Sequence, residues 1–580
     1  MTNQQVAAFM RRIADTLEIK GEIVYKVRAY RRAADNVEAL ERDISEIWWQ
    51  GELRQVPGIG AALEKKLDEW LRTGRLEYYE KLRQEVPDGV VALLDIPDVG
   101  AKTARLLWKE LGVTDIEDVE RAARQGRLRE LPGLGERSEQ RLLQGIESLK
   151  RRSDRIPLRV AWPIAQELVL VLRHKLGIET VELVGSLRRM EDMVGDIDVL
   201  ATCDDPARAT SALISLPMVA EVVSHSPMEC KVTLDDGLPV HLLAYLPERY
   251  GSLLQYCTGS KAHNVALREL AQQKGLILSE NGFKRGEEEI LCRSEEQVYA
   301  TLDLPWIPPE LREDRGEVQA AQAGALPRLL EPGDIRGDLH SHTTWSDGTA
   351  TLAKMAEAAI ARGYEYLVIS DHTHGLGVAN GLNVHELRAQ GAEIKRLNAE
   401  FSGFRLLHGA EVEVRADGAL DYPDDVLEEL DIVVASAHTA QRQNKDAMTA
   451  RAVRAMRNPH VDILAHPSGR IPGHREASNV DLDTVLQVAA ETGTILEVNA
   501  HRLDLDDVHA RRAISLGVPL SIVSDAHHVA ALDTIVYAVA TARRGWVEPQ
   551  HVVNTLSLAA FLDLLARKKA ARADHRGLLA

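Results

Sequence analysis

Sixteen of the chain's twenty histidines lie after residue 335, and six of them stand where strand-like runs stop. From that point strand-like and helical runs alternate, the strand-like ones being GDLHSH, YEYLVISDH, FRLLHGAEVEV, LDIVVASAH, VDILAHP, GTILEVNA and VPLSIVSDAH. Seven βα units predict a parallel barrel or a strongly curved sheet. The C-terminal strand ends of such a barrel face one mouth, where active sites sit. The first run ends in His340 and His342, with Asp347 in the next loop; the second ends at His372 and the third near Glu411. The fourth ends at His438, the fifth at His466, and the seventh at Asp525 and His527. These nine side chains are expected to converge, although nearly a third of the chain separates the first from the last.

All nine are metal-ligand types, and a nitrogen and oxygen set without cysteine suits Zn²⁺, Mn²⁺ or Fe²⁺. A His-x-His on a strand puts both imidazoles on one face, as two ligands of one metal require. A single histidine is ordinarily a hydrogen-bonded core or surface residue. Six histidines and three acids at successive strand ends are not explained that way. His374, His408, His474 and His528 break the pattern and read as bystanders or substrate contacts.

With 580 residues the chain is too long for one core, and three or four domains are expected. No run of about eighteen uninterrupted apolar residues suggests a membrane span. The N-terminal stretch MTNQQVAAFMRRIADTL lacks a signal-peptide core and reads as an amphipathic helix. The four cysteines form no C-x-x-C pair, so a reducing, cytoplasmic setting is expected. The net charge of −18 argues weakly against nucleic acid, but residues 1–150 are near neutral and the excess acid lies downstream.

Before residue 150 the pattern is helical and repeats. VPGIG (56–60), IPDVG (96–100) and LPGLG (131–135) share the form apolar-Pro-x-apolar-Gly, and each opens a segment with helical spacing. A Gly-rich turn at a helix start exposes unpaired N–H groups and the positive helix end, which suits phosphate. The candidate phosphate-binding glycines are Gly58, Gly60, Gly100, Gly133 and Gly135. The turns resemble helix-hairpin-helix modules, which grip DNA backbones without reading sequence. The middle copy carries Asp98 where its siblings have Gly, which weakens its expected grip.

From about 155 to 305 strands and helices mix, and 304–334 is a Pro- and Gly-punctuated linker with one short helix. VGSLRRMEDMVGDIDVL (184–200) is a second constellation. Gly185 and Ser186 end a strand and start a helix, so their amides and hydroxyl can meet a triphosphate. Asp196 and Asp198 share one face of the next strand and can chelate Mg²⁺ together.

Residues 335–570, from DLHSHTTWSDG through SDHT, GAEVEV, SAH, AHP and SDAHH, resemble a polymerase and histidinol phosphatase (PHP) domain. The resemblance implies a distorted (β/α)7 barrel with a trinuclear metal site. His340, His342, Glu411 and Asp525 would hold one ion, and Glu411 would bridge to a second at His438. Asp347, His372 and His527 would hold a third, with His466 placed between sites. Its chemistry is phosphoester hydrolysis, with Mn²⁺ or Zn²⁺ activating water and stabilising the leaving oxygen.

LLQYCTGSKAHNVALREL (253–270), YKVRAYRRAA and GIGAALEKKLDEW extend the likeness. The whole chain is similar to bacterial family X DNA polymerases, relatives of DNA polymerase β with a PHP domain fused behind. The resemblance implies a multidomain α/β chain. Residues 1–85 would be a helical 8-kDa-like domain, 86–154 helix-hairpin-helix fingers and 155–245 an α+β nucleotidyltransferase palm. Residues 246–304 would be a thumb-like subdomain, 305–334 a linker and 335–580 the PHP domain.

By motif, Ser186 and Arg189 would touch the triphosphate, with Gly185 and Gly195 lining it through their backbones. Tyr256 and Gly259 would line the sugar pocket, and Asn264 and Arg268 would face the minor groove of the nascent pair. Lys66 falls at the position of a 5′-deoxyribose-phosphate lyase lysine. It reads equally as a solvated helix lysine, and Ala62 replaces a lysine that many relatives use for the 5′-phosphate.

One departure stands out. The family's third catalytic carboxylate belongs at position 241, within LPVHLLAYL, and this chain has His241. A histidine binds Mn²⁺ or Zn²⁺ but is a poor Mg²⁺ ligand and brings no negative charge. Asp235 and Asp236 lie in the DDG turn, too far off to substitute. Met190 stands where relatives carry Gly, and Cys257 replaces an aromatic. The expectation is a DNA-repair enzyme with a 3′–5′ exonuclease in the barrel and impaired gap filling in the palm, which would use Mg²⁺ or Mn²⁺ and dNTP. Its partner would be gapped, nicked or 3′-ended DNA, bound without sequence preference by a monomer. The alternatives are an active, weak or Mn²⁺-dependent polymerase, a decayed DNA-binding scaffold, and a small-molecule phosphoesterase.

Overall fold

The computed structural model describes residues 3–38, 44–96, 99–153, 155–174, 177–178, 180–441 and 443–579. Asp98 lies outside them. The chain forms two compact units, Met1–Asp154 and Arg155–Ala580. Among the described residues no helix is long and apolar enough to cross a membrane.

The first unit is all helical. Each of its three repeats has the same local plan. A 3-10 turn (Leu53–Gln55, Leu93–Asp95 or Leu128–Glu130) leads into the glycine-bearing turn, which opens a helix. The three helices are α1 (Ala61–Thr73), α2 (Ala101–Leu111) and α3 (Glu136–Ser153). The turns are closed by matching bonds, from Ile59 N–H to the Val56 carbonyl at 3.1 Å, Val99 to Ile96 at 3.0 Å and Leu134 to Leu131 at 3.1 Å. The apolar residue of each turn is thereby drawn inward: Ile59 and Val99 are buried and Leu134 half-buried, and Val56, Ile96 and Leu131 at the turn starts are buried. Each such burial contributes ~1.5–3 kcal/mol, so the repeat is held by its alternating apolar positions while its glycines stay outside. Gly58 and Gly133 have φ of 86° and 81°, a backbone that L side chains rarely adopt.

The second unit carries a five-stranded sheet of β1 (Thr180–Leu183), β2 (Ile197–Thr202), β3 (Val219–His225), β4 (Glu229–Leu234) and β5 (Pro239–Tyr245). Their order is β1-β2-β5-β4-β3, with β2 and β5 parallel and the other neighbours antiparallel. Helix α4 (Leu158–His174) packs Leu158, Ala161, Ala165, Leu168 and Leu172 onto it, an i, i+3, i+4 stripe. The four-residue helical turn α5 (Gly185–Arg188) follows β1. Helices α6 (Tyr250–Thr258) and α7 (Lys261–Gln273) then precede a small sheet of β6 (Ile277–Ser279), β7 (Gly282–Arg285) and β8 (Glu288–Ile290).

The chain ends in a seven-stranded parallel sheet: β9 (Gly337–Asp338), β10 (Tyr366–Ile369), β11 (Arg405–Glu413), β12 (Ile432–Ser436), β13 (Ile463–Leu464), β14 (Ile495–Asn499) and β15 (Leu520–Val523). Spatial order follows chain order. A parallel bridge between Ser341 and Ala526 joins the first and last strands just past their C-terminal ends, and His342 N–H donates to the Ala526 carbonyl at 2.8 Å. The sheet is thus nearly closed into a barrel, tightest at the mouth. Its helical cover includes α8 (Ile535–Arg544). Strands β10 and β12 are almost wholly apolar and buried throughout, as a parallel sheet covered on both faces requires.

Candidate metal centre and nucleotidyl-transfer site

Every strand but the sixth delivers its ligand-type residue to the barrel mouth. Glu411, inside the long strand β11, is the hub. Its Oε2 lies 3.3 Å from His340 Nε2, 3.5 Å from His342 Nε2 and 2.9 Å from His372 Nδ1. Its Oε1 lies 3.3 Å from His438 Nε2 and 3.0 Å from His466 Nε2. Asp525 Oδ1 stands 3.3 Å from His342 Nε2 and 3.7 Å from His340 Nε2. Asp347 Oδ2 stands 3.3 Å from both His372 Nε2 and His527 Nε2. Three groups have ligand atoms close enough to hold an ion: His342, Asp347, His372 and His527; His340, His342 and Asp525; and His372, Glu411 and His438. His466 shares Glu411 Oε1 with His438, which puts it beside the second of the ions expected from sequence.

The donor chemistry fits divalent cations. His340 Nε2, both nitrogens of His342, His372 Nδ1 and His438 Nε2 are buried without a hydrogen-bond partner, a costly state unless a cation takes the lone pairs. Burial pushes His342 down to about 4, with the neighbouring His527 and His372 adding to it. Burial and the Arg502 charge push His466 down to about 3. Both rings are therefore neutral ligands at ordinary pH. Against burial, the carboxylates of Glu497, Asp525 and Glu411 hold His340 well above the usual range, a demand for positive charge that a cation bound at Nε2 would meet in place of the proton. The far nitrogens are fixed from behind. Glu497 Oε2 lies 2.8 Å from His340 Nδ1, and Glu413 Oε2 lies 3.0 Å from His438 Nδ1. Such partners fix which nitrogen faces the metal. Glu497 and Asn499, whose Nδ2 donates to Asp525 Oδ2 at 3.1 Å, were missed in the sequence. Their signal was polar residues at alternate positions of the otherwise apolar strand ILEVN.

None of the four bystander histidines belongs to these three groups. His374 stands 3.7 Å from Asp421. His408 packs its ring against Gly391, where an added Cβ would come within 2.7 Å of it.

In the five-stranded sheet, Asp198 on β2 and His241 on β5 are direct neighbours in register. His241 Nδ1 lies 3.2 Å from Asp198 Oδ1, and its Nε2 lies 3.0 Å from Glu229 Oε1 on β4. Asp196 is held above its ordinary range by burial and by the Asp198 carboxylate, the behaviour of an acid pair that a cation would relieve. Gly185, with φ of 64°, sits so close that an added Cβ would lie 2.2 Å from Asp198 Oδ2. Ser186 follows it in α5, half-buried, and Gly195 faces open space just before Asp196. Met190 has φ of 56°, a conformation suited to glycine.

The remaining expected nucleotide residues gather around α6 and α7. Asn264 Nδ2 donates to the Tyr256 carbonyl at 2.8 Å, and Gln255 Nε2 donates to Asn264 Oδ1 at 2.8 Å. Arg268 Nε donates to the Asn264 carbonyl at 3.2 Å, and Tyr256 is exposed. Gly259, with φ of 68°, would meet Arg189 Nη1 at 3.2 Å if it carried a Cβ. Arg189 is mostly buried. Its Nε donates to Glu313 at 2.9 Å, one Nη to the Thr258 carbonyl at 2.6 Å and the other to Glu191.

In the first unit, Lys66 Nζ contacts Tyr30 Oη at 2.5 Å and sits 3.5 Å from the centre of the Tyr78 ring. Burial, aided by the Lys26 charge, lowers its pKa. Gly60 and Gly100 cap α1 and α2. A Cβ at Gly60, Gly100, Gly133 or Gly135 would meet nothing within 4 Å, so the backbone there is open to a ligand.

A nearly closed parallel barrel with an oxygen and imidazole metal centre, behind a sheet bearing an Asp-x-Asp pair, defines a two-site phosphoryl-chemistry protein of the polymerase type. Family models agree segment by segment. The helix-hairpin-helix domain matches 1–76, the SAM-like helix-hairpin-helix tandem 90–148, the DNA polymerase beta thumb 253–313 and the PHP domain 338–501. The DNA polymerase/3′-5′ exonuclease PolX of Bacillus subtilis (strain 168) is 38% identical over 564 residues, covering 96% of this chain and 98% of that one. A probable phosphatase of Thermoanaerobacter sp. (strain X514) is 30% identical over 204 residues, 33% of this chain and 78% of the relative. The chain belongs to the bacterial family X DNA polymerases that carry a C-terminal PHP domain.

Proposed function

We propose that this chain is a DNA-repair enzyme whose principal chemistry is 3′–5′ exonucleolytic hydrolysis of DNA at the barrel mouth, and whose palm is impaired in nucleotidyl transfer. The observation that carries the reading is the contrast between the two sites. The barrel gathers eight ligand-type side chains into three groups able to hold an ion, four of them histidines with unpartnered ring nitrogens, whereas the palm offers His241 in register with Asp198. Up to three Mn²⁺ or Zn²⁺ ions fit the barrel donors, and when bound they supply an activated water and neutralise the leaving oxygen. Glu411 holds the three groups in one frame, Glu497 and Glu413 orient His340 and His438, and the near-closed strand ends exclude bulk water from the floor of the site.

In the front half, the open glycine turns grip phosphates of gapped or nicked DNA in a salt-dependent, sequence-independent way. Asp196 and Asp198 would hold Mg²⁺ or Mn²⁺, with dNTP bound from Gly185 to Arg268, at a rate limited by the missing third carboxylate. Lys66 is assigned to 5′-deoxyribose-phosphate removal on its lowered pKa. The domain borders at 85, 154, 245, 304 and 334, a monomeric state and a cytoplasmic setting belong to the same reading.

A small-molecule phosphoesterase is the second reading, favoured by the likeness of the barrel to proteins named probable phosphatases. The test is a paired assay on one gapped, end-labelled substrate, with Mg²⁺ and then Mn²⁺, beside a phosphomonoester. Removal of 3′-terminal nucleotides that disappears in His342→Ala supports the nuclease. Hydrolysis of the monoester alone supports the phosphatase, and vigorous Mg²⁺-dependent extension overturns the impaired palm.

A further inference from the structure

Several arginines tie the barrel to the front of the second unit through carboxylates. Arg470 reaches Asp192 at 3.0 Å, Arg544 reaches Glu313 at 3.0 Å and Arg315 reaches Asp507 at 2.8 Å. Arg159, in the first turn of α4, also crosses to the barrel but meets no acid. Its Nη1 lies 3.2 Å from the His501 carbonyl oxygen and 3.4 Å from His501 Nδ1, and among the described residues it has no carboxylate within ion-pairing distance. Next to His501 is Arg502, whose Nε is buried and without a hydrogen-bond partner, 3.7 Å from Asp525 Oδ2. The Arg502 charge acts on both His466 and Arg159. Arg159 packs against His501, and its chain neighbour Arg502 stands beside the metal-binding side chain of Asp525.

The loop that presents Arg502 is tied down by hydrogen bonds. Asn499 N–H donates to the Asp504 carbonyl at 2.7 Å, and Arg502 N–H donates to Asn499 Oδ1 at 2.9 Å. Arg470 donates to the Leu503 carbonyl at 2.9 Å and 2.6 Å. Asp504 takes the Ser468 and Gly469 amides at 3.0 Å and 2.7 Å. Arg159 has a carbonyl and an imidazole but no counter-charge, and Arg502 has one carboxylate at the edge of ion-pairing distance, so an anion at the mouth would complete the pairing of both. Planar guanidiniums match a phosphate oxygen pair well, and the site proposed above places a phosphodiester at that spot.

We infer that Arg159 and Arg502 form a phosphodiester-binding edge of the barrel mouth, so that the palm supplies part of the substrate grip for the barrel's hydrolysis. The inference rests on the nuclease reading and adds to it a polymer-specific subsite built from two domains. Arg502, next to Asp525, touches the phosphate being cut. Arg159, farther out, touches a neighbouring phosphate that only a polymer has.

The test uses the full-length chain with Mn²⁺, a 5′-labelled single-stranded oligodeoxynucleotide and, as comparator, bis(p-nitrophenyl) phosphate. Arg159→Ala is expected to raise KM for the oligonucleotide roughly tenfold, the scale of one hydrogen-bonded charge, with kcat and turnover of the small diester unchanged. Binding of a phosphorothioate-ended oligonucleotide, followed by fluorescence anisotropy, should lose about 0.7 from its salt slope, as one single-strand phosphate contact predicts. Arg159→Lys should recover part of the loss, and Arg502→Ala should weaken both substrates. An unchanged KM and salt slope in Arg159→Ala, or equal loss on both substrates, overturns the inference. His342→Ala separates the failures. If it still cuts DNA, the barrel reading falls; if it is dead while Arg159→Ala is unaffected, only the phosphodiester edge falls.

Discussion

His241 Nδ1 lies 3.2 Å from Asp198 Oδ1, across one rung of the parallel pair β2 and β5, and its other nitrogen is held by Glu229 at 3.0 Å. The Asp198 carboxylate, by its hydrogen bond, raises the His241 pKa against burial, so the ring tends to bring positive charge where a metal ion needs negative. His241→Asp should therefore raise Mg²⁺-dependent primer extension at least roughly tenfold, the scale of gaining one charged contact in the transition state. Extension by the parent chain should favour Mn²⁺. Steady-state extension in each metal checks both, and an unchanged rate in His241→Asp would show that the palm is limited elsewhere.

The buried, unpartnered ring nitrogens of the barrel predict that metal stabilises the fold itself. A cation that binds only the folded chain adds RT ln(1 + [L]/Kd), about 2.7 kcal/mol at a hundredfold excess over Kd. Chelator-treated protein should melt lower, and Mn²⁺ or Zn²⁺ should restore the melting temperature. In Glu411→Gln, which removes charge from the hub, the restoring effect should largely vanish. Differential scanning calorimetry reads this without any substrate.

Lys66 sits against two tyrosine rings with its pKa lowered by burial and by Lys26. A fraction of neutral amine follows, which a Schiff base requires. Borohydride should trap the chain on 5′-deoxyribose-phosphate DNA, and the adduct should disappear in Lys66→Arg. Trapping that survives the substitution would assign the amine to another residue.

Glu295 joins Arg188 and Arg312 at 2.7 Å and 2.6 Å. Burial alone would raise its pKa, but the Arg312 and Arg188 charges hold it at about 2, against 4.5 in an unfolded chain. Between those values the unfolded state binds more protons. The group's contribution is therefore complete above pH 4.5 and is lost as pH falls toward 2. Glu295→Gln should cost about 3–5 kcal/mol, because Arg312 is left buried without its partner. The variant should also flatten the acid limb of a denaturation curve measured from pH 5 downward.

The parts legible in the sequence were those where spacing carries the geometry. Ligands at strand ends share one mouth in any parallel barrel, so the convergence of His340 through His527 followed from periodicity alone. The three glycine turns followed from their repeat. What spacing cannot show is which partners stand behind a ligand or cross between domains. Glu229 meets His241 only because β4 and β5 are adjacent, an order fixed by pairing rather than by chain position. Arg159 and His501 are separated by most of the second unit's length. The burial of Arg189 against Glu191 and Glu313 was equally invisible, since it depends on how the segment after α7 folds back.

The bridge between Ser341 and Ala526 has a consequence for the life history of the molecule. The two ends of the ligand set meet only when the last strand arrives. A chain emerging from the ribosome has its helical unit and palm long before Asp525 and His527 exist. The metal centre of the barrel mouth is therefore the last site the protein completes. Any product terminated before residue 525 carries the helix-hairpin-helix domains and the Asp-x-Asp sheet without a complete barrel site.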